Sequence, residues 1–499
     1  MHKSLNQQIF FPPFIALMIA LAFSLVNADL LVDWLSAIRS WMLSYFDWLF
    51  NWTVFAFVVS AILVYLSPVG KVVLGGSDAT PIFSKTKWLS IVICTTVATG
   101  MLFWGSAEAL YHVYEPPYSL LEPTSDSAAI TAMSTLYMHW TISPYALYTM
   151  VSLAFALAFY HYKLPFRVSS IIRIGTTDKE TYWYHDALDS FCLFALVAGM
   201  AAALGAGVLT ISGGVESILG VAQNPFLWAI IVIVIAVAFV ISSASGLKRG
   251  IKWLSLINVV FFIIMILVMG GVLLSEEGLS LSIRGFTEYV AQFIPRSLGF
   301  SNLDRAWEQS WTSFYWANWM AWAPVTALFL GRIAVGRTVR EFIRFNLVYT
   351  SLFSMIWMTI FGSISIMNDR DSNGSLYATL QEGGPQDVIF SLIEELSLGS
   401  TGSVIFLVIV FISYVTAADS NTSAMSSMST QHLDSDEPEA PLMIKIVWGL
   451  IIAAMSWVMI SFAGMDGIKI LSIIGGFPIL FLCIYIVYLF GRIIYKRSL

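Results

Sequence analysis

The 499-residue chain is 58% hydrophobic and 11% charged, with a mean hydropathy of +0.79. A soluble protein carries about 25% charged residues, so these values exclude a soluble globular enzyme. The net charge of −6 comes with no long basic run, which leaves no nucleic-acid signal; Cys94, Cys192 and Cys483 lack the spacing of a disulfide framework or a metal site.

Apolar stretches long enough to cross a bilayer, about 20 residues each, recur twelve times: 9–27, 52–68, 88–112, 134–160, 187–212, 226–246, 251–274, 312–334, 345–367, 403–430, 444–464 and 468–494. In lipid the backbone groups of each stretch must bond within that stretch, so all are read as helices. The expected class is an all-α integral membrane protein without a soluble domain. The first stretch lacks a small-residue cleavage site and is read as a retained helix rather than a signal peptide.

Residues 29–52 mix Asp29, Asp33, Arg39 and Asp47 with Trp34, Trp41 and Trp48, the composition of an interfacial belt. The pattern returns at 283–300, where Arg284, Glu288 and Arg296 stand among Phe286, Tyr289 and Phe293, and 385–398 reads as a short outer helix. Of the 25 Lys and Arg, 19 fall on the side of the N-terminus and 6 on the other. Positive residues collect on the cytoplasmic face, so both termini are placed there, in a bacterial-type inner membrane.

Three spans are poor helices at their middles: Cys94 to Gly100, Gly199 with the run 204–207, and Thr416 to Ser423. Small residues allow close helix packing; the alternative is locally opened backbone that offers carbonyls to an ion or substrate. Asp419 lies in the third of these stretches. It reads as a functional carboxylate by its cost in a membrane, or as a solvated one if it sits at the helix end.

Aromatic residues supply the main candidate site. Trp311, Tyr315, Trp319 and Trp322 fall at intervals of four, four and three, so one helical face carries four large rings, with Trp316 beside them. Trp140, Tyr145 and Tyr148 share a face of an earlier span, in which Pro144 is expected to bend the helix and free a carbonyl. An interfacial belt or ordinary packing accounts for scattered rings, but two clusters in separate spans point to a pocket. Rings around a dry cavity attract a cation by ~0.5–2 kcal/mol each, and a quaternary ammonium needs no carboxylate partner.

At these residues the sequence resembles the betaine/choline/carnitine transporter family. Trp311 to Trp319, Phe329 to Phe342, Phe103 to Glu108, the pair His139–Trp140 and Ala418 to Ser420 carry the resemblance, which covers nearly the whole chain. It implies twelve transmembrane helices, the third to twelfth forming two inverted five-helix repeats. The segments are then 1–87 (two helices and the interfacial segment), 88–274 (first repeat), 275–311 (outer amphipathic segment) and 312–499 (second repeat and a short tail). It also implies a homotrimer, with the outer amphipathic helix contributing to the contacts.

By the same resemblance the substrate box is Trp140, Tyr145, Tyr148 and Trp319, with Tyr111 lining it in carnitine-type members and Trp316 and Trp322 flanking the entry route. Asn318 stands where the family commonly has a further Trp, and its amide suits a substrate carboxylate. A sodium site would use carbonyls of Cys94 and Val97 with the hydroxyl of Thr416, although Ala417 replaces the usual Ser. Met200, Ala202 and Ala203 offer no hydroxyls for a second ion, and Asn258 replaces the arginine of sodium-independent exchangers. No catalytic residue and no cofactor beyond this ion are expected. His139 is read as satisfying a neighbouring backbone group, and Glu108 as a structural or gating carboxylate. A membrane osmosensor is the competing class, disfavoured by short tails; a primary pump is excluded by the lack of a phosphate-binding loop.

Overall fold

A computed structural model describes residues 5–96, 98–176, 182–244, 250–431 and 440–496. The described chain is helical throughout, apart from two isolated β-bridges, Leu5 to Thr430 and Val73 to Thr338. In chain order the α-helices are α1 (Gln7–Leu66), α2 (Lys85–Thr96), α3 (Ala98–Tyr114), α4 (Asp126–Trp140), α5 (Ile142–Ala156), α6 (Trp183–Leu219), α7 (Pro225–Ala244), α8 (Gly250–Val268) and α9 (Glu276–Ser297). They continue with α10 (Arg305–Glu308), α11 (Phe314–Arg332), α12 (Val339–Ile343), α13 (Thr350–Asp371), α14 (Ser375–Glu382), α15 (Pro385–Glu395), α16 (Gly399–Met428) and α17 (Leu442–Lys496).

Among the described residues eight helical runs are long and apolar enough to cross a membrane, or nine when the bent pair α2–α3 counts as one span. The chain is therefore an all-helical, multi-pass membrane protein. Two of the eight are 60 and 55 residues long, α1 and α17. At 1.5 Å per residue such helices reach about 80–90 Å, far beyond a hydrocarbon core of about 30 Å. Each contains a non-helical residue, Asn27 in α1 (φ −155, ψ 87) and Gly464 in α17 (φ 50, ψ −131). After the first break the Asn27 side chain accepts from Leu30 N at 3.0 Å and restarts the helix. Residues 29–52, read as an interfacial belt, are thus helical and run on into the next apolar stretch, with Trp34, Trp41 and Trp48 exposed. α11 is not among the eight, because its Trp, Tyr, Asn and Thr residues lower its hydropathy; it is buried by protein instead.

Of the three stretches read as poor helices, one is broken. α2 and the segment Gly100–Tyr114 meet at 56°. α6 runs unbroken through Gly199 and 204–207, where small residues seat neighbours: a Cβ on Gly205 would fall 2.8 Å from Ile460, and one on Gly207 2.5 Å from the Tyr414 ring. α16 is helical through 416–423, its hydroxyls turned back onto its own carbonyls, Thr416 to Ile412 O at 2.7 Å and Thr422 to Ala418 O at 2.6 Å. Asp419 is buried rather than solvated, and accepts from Ser242 Oγ at 2.6 Å.

The outer amphipathic helix expected over 283–300 spans Glu276–Ser297. Ser275 Oγ caps it at Gly278 N (3.0 Å), and Glu276 and Glu277 in its first turn complement the helix dipole. It lies along α4, where Gly285 leaves no room for a side chain beside Met133, and Arg296 donates to Ser134 and Thr135. Its apolar stripe Ile283, Phe286, Val290 and Ile294 is exposed. The short outer helix expected over 385–398 is α15.

The run Phe329 to Phe342 forms a clasp between the loops that follow α1 and α11. Leu74 N donates to Arg337 O at 2.9 Å and Gly336 N to Leu74 O at 2.8 Å. Gly336 has φ +74, and a Cβ there would lie 2.4 Å from Pro81 N, so only glycine fits. Arg337 stacks its guanidinium 5.0 Å above the Trp88 ring, and Arg340 donates to Tyr65 O at 2.7 Å.

Candidate substrate site

Three short elements bring the rings together. α4 ends on Trp140, and α5 starts two residues later across Thr141, whose φ −122 and ψ −113 break the helix. The bend expected at Pro144 therefore occurs three residues earlier, because a proline bars the hydrogen bonds of the turn before it. Thr141 Oγ1 caps the break by donating to Tyr137 O and to the Tyr289 hydroxyl on α9. Tyr145 and Tyr148 follow on α5, and Trp319 comes from α11. Trp319 is the hub: its ring centroid lies 5.6 Å from Trp140, 5.7 Å from Tyr145 and 5.0 Å from Tyr148, each nearly edge-on. All four are buried. At these separations the rings pack directly on one another. Trp140 fits because α3 carries Gly100 there, where a Cβ would lie 2.6 Å from the indole. The Trp319 indole N–H is buried without a hydrogen-bond partner.

Behind the box lies a polar knot. Glu108 is fully buried and accepts from four side chains: Oε2 from Trp140 Nε1 (2.7 Å) and the Tyr315 hydroxyl, Oε1 from the rings of His139 (Nδ1, 2.8 Å) and His112 (Nε2, 3.3 Å). The other His139 nitrogen meets Thr312 Oγ1 at 3.1 Å. The expectation that His139 serves a backbone group is thus overturned: it joins a carboxylate on α3 to a hydroxyl preceding α11. A buried carboxylate survives only when saturated with donors, and this one is. Glu108, His112 and His139 present ligand atoms within 4.8 Å of one another, but a metal would have to displace the donors that both Glu108 oxygens already hold.

The remaining candidates are dispersed. Tyr111 packs on Trp311 (5.1 Å), one turn beyond Glu108 on α3, rather than on the four-ring box. Trp316 faces the His139 ring edge-on at 6.0 Å. Trp322 turns to α6 beside Gly199 and lines an apolar cleft with Met200, Leu204, Tyr414, Ala417 and Ala418. Asn318 accepts from Ser472 Oγ on α17 at 2.9 Å, so its amide oxygen is committed to another helix. Of the ion-site candidates, Cys94 is buried, Thr416 donates to its own helix, and Val97 lies outside the described residues. Asn258 and Ser413 bond each other at 2.8 Å, joining α8 to α16.

A second polar group sits at the start of α15. Asp387 accepts from Gln223 Nε2 at 2.9 and 3.1 Å and shares that amide with Glu216 at the end of α6. Burial, then the neighbouring Glu216 charge, pushes the Asp387 carboxyl from 3.8 up to about 7. Glu382 and Glu394 line the same cleft. A carboxyl raised on folding holds a proton that the unfolded chain has lost, so its stabilisation is full below pH 4 and disappears as pH climbs to about 7. Thermal midpoints of purified protein from pH 4 to 8 are expected to carry this slope, and Asp387→Asn to flatten it; equal slopes in both proteins would contradict the assignment.

The family profile described as BCCT, betaine/carnitine/choline family transporter, matches residues 8–498. The chain belongs to this family. Its members are transporters, not enzymes. The chain is 31% identical to an ectoine/hydroxyectoine transporter of Virgibacillus pantothenticus, over 91% of this chain and 89% of that protein. It is 31% identical to glycine betaine transporter 1 of Vibrio parahaemolyticus (86% and 81% covered), and 27% identical to glycine betaine transporter OpuD of Bacillus subtilis (92% and 88%).

Ring spacing brought Trp140, Tyr145, Tyr148 and Trp319 into consideration from the sequence, and the fold brings these four together. The donors around Glu108 are legible only in part: the motif contains Glu108, and Tyr315 shares a helical face with Trp319, but nothing in the spacing joins them.

Proposed function

We propose that this protein is a secondary active transporter of quaternary-ammonium or sulfonium compounds, zwitterionic or cationic, the candidates being glycine betaine, carnitine, choline and dimethylsulfoniopropionate. The observation that carries the reading is the buried hub of Trp319 against Trp140, Tyr145 and Tyr148. Its π faces suit a cation that cannot donate hydrogen bonds, and the unpartnered Trp319 N–H suits the carboxylate at the other end. The two relatives at 31% identity, one a glycine betaine transporter and one an ectoine/hydroxyectoine transporter, widen the class to compact zwitterions in general.

The mechanism is alternating access. The substrate, caged at the box, is exposed to each side in turn as one helix bundle rocks against the rest. Splitting α1 at Asn27 and α17 at Gly464, joining the bent pair and adding α11 gives twelve spans. This agrees with two inverted repeats over 88–274 and 312–499, flanked by the helices of 1–87 and the outer segment 275–311. The exposed apolar stripe of α9 suits a homotrimer contact. The positive-residue count supports cytoplasmic termini in an inner membrane.

Sodium symport is the preferred coupling, with Thr416 and the broken third span as its site. Proton symport or exchange is the alternative; the Thr416 hydroxyl donates to Ile412 O and keeps its oxygen lone pairs for an ion. Uptake of labelled betaine, carnitine, choline and dimethylsulfoniopropionate into proteoliposomes, with and without a sodium gradient and with or without internal substrate, tests the reading. Sodium-driven accumulation that weakens several-fold in Thr416→Ala is the expected result. Accumulation of none of these compounds under any gradient contradicts the substrate class, and uptake that ignores sodium moves the coupling to a proton or to exchange.

A further inference from the structure

Lys469 stands just beyond the break at Gly464, in the second half of α17. It is half-buried, and its ammonium lies 4.3 Å from the centroid of Trp311 and 5.7 Å from that of Phe314. Among the described residues no carboxylate forms an ion pair with it, although Asp466, Glu108 and Glu115 are near enough to attract it. Asp466, one turn earlier, is largely exposed and approaches Arg39 at 4.0 Å, and both oxygens of Glu108 are occupied by their four donors. The direct contacts of the ammonium are ring faces.

Trp311 also belongs to a continuous column of rings. It touches Tyr111 at 5.1 Å, His112 at 4.7 Å and Trp104 at 5.7 Å; Trp104 touches Tyr315, and Tyr315 touches Trp140 of the box. Lys469 therefore sits on a column that leads to the substrate rings. The contact joins α17 to the turn before α11, two elements brought together across the molecule.

We propose that Lys469 is the outer latch and charge filter of the transport route. This rests on the substrate reading above. Seated on Trp311, its ammonium occupies the ring face that an arriving quaternary ammonium would use. A zwitterion carries the means to exchange places: its carboxylate pairs with Lys469 and draws the side chain off, while its own cation takes the ring. A cation without a carboxylate, such as choline, gains nothing to offset the displaced contact and meets a like charge. The chain is thereby tuned to ammonium carboxylates over ammonium alcohols.

The test measures kcat/KM for glycine betaine and for choline in proteoliposomes. Lys469→Gln is expected to narrow the betaine-to-choline ratio about 30-fold, the size of one desolvated cation–π contact. Lys469→Arg, whose guanidinium keeps the charge and stacks on tryptophan, is expected to hold the ratio within about threefold. Lys469→Cys modified after folding separates charge from structure: an aminoethyl thiosulfonate reagent restores the preference and a neutral methyl reagent does not. An unchanged ratio in Lys469→Gln, or equal restoration by both reagents, overturns the latch while leaving the aromatic box standing. If the unaltered protein accumulates none of betaine, carnitine, choline and dimethylsulfoniopropionate, the substrate reading fails and the latch with it.

Discussion

Replacing Trp319 with Ala is expected to raise the half-saturation constant for a transported zwitterion by at least about 30-fold, because a desolvated cation–π contact is worth ~2 kcal/mol. Trp319 is the ring that the other three share, so its loss opens all three contacts at once. It also removes the one unpartnered indole N–H of the box. Truncating a buried Trp leaves a cavity that costs about 3–5 kcal/mol of stability in soluble proteins, so the effect on affinity must be separated from an effect on folding. Direct binding to purified protein, read beside its thermal midpoint, makes that separation. Trp319→Tyr keeps a π face of smaller area and should lose less. If Trp319→Ala and Trp140→Ala both transport with unchanged half-saturation, the box is not the substrate site.

Glu108→Gln is the second large effect, although it changes one atom. The carboxylate supplies two acceptor oxygens to four donors. The amide keeps one acceptor and turns an N–H₂ toward groups that themselves donate. Removing one member of a buried charged network costs about 3–5 kcal/mol, and the expected readout is a marked fall in thermal midpoint with loss of well-folded protein. Because Trp140 hangs on Glu108 Oε2 at 2.7 Å, the surviving protein should also bind substrate poorly. Glu108→Asp, which keeps the charge but shortens the reach, should fold better than the amide while misplacing Trp140. A Gln variant as stable as the parent would show that the knot contributes little to folding.

Between these two groups lies the difference between what spacing reveals and what packing decides. Four rings at helical intervals on 311–322 are a statement about one helix, and they were legible because a helix repeats every 3.6 residues whatever surrounds it. Which ring meets which partner is a statement about several helices. Tyr315 leaves the box face to serve Glu108, 207 residues away, and Asn318 turns to Ser472, 154 residues away. His139, read as bonding nearby backbone, bonds a carboxylate 31 residues earlier in the chain.

By itself the sequence determined that the protein is a helical membrane transporter, where its apolar runs lie, and that aromatic rings concentrate on two spans. Hydropathy, helical period and motif are local properties, and a bilayer forces local hydrogen bonding on every span. Only the tertiary structure decided the break at Thr141 rather than Pro144, the hub at Trp319, the saturation of Glu108 and the seat of Lys469 on Trp311. The reason is that a buried polar or aromatic group takes its partners from whichever helices close around it. That choice is made in three dimensions, by shape and by the cost of leaving a donor or a charge unpaired in a dry interior.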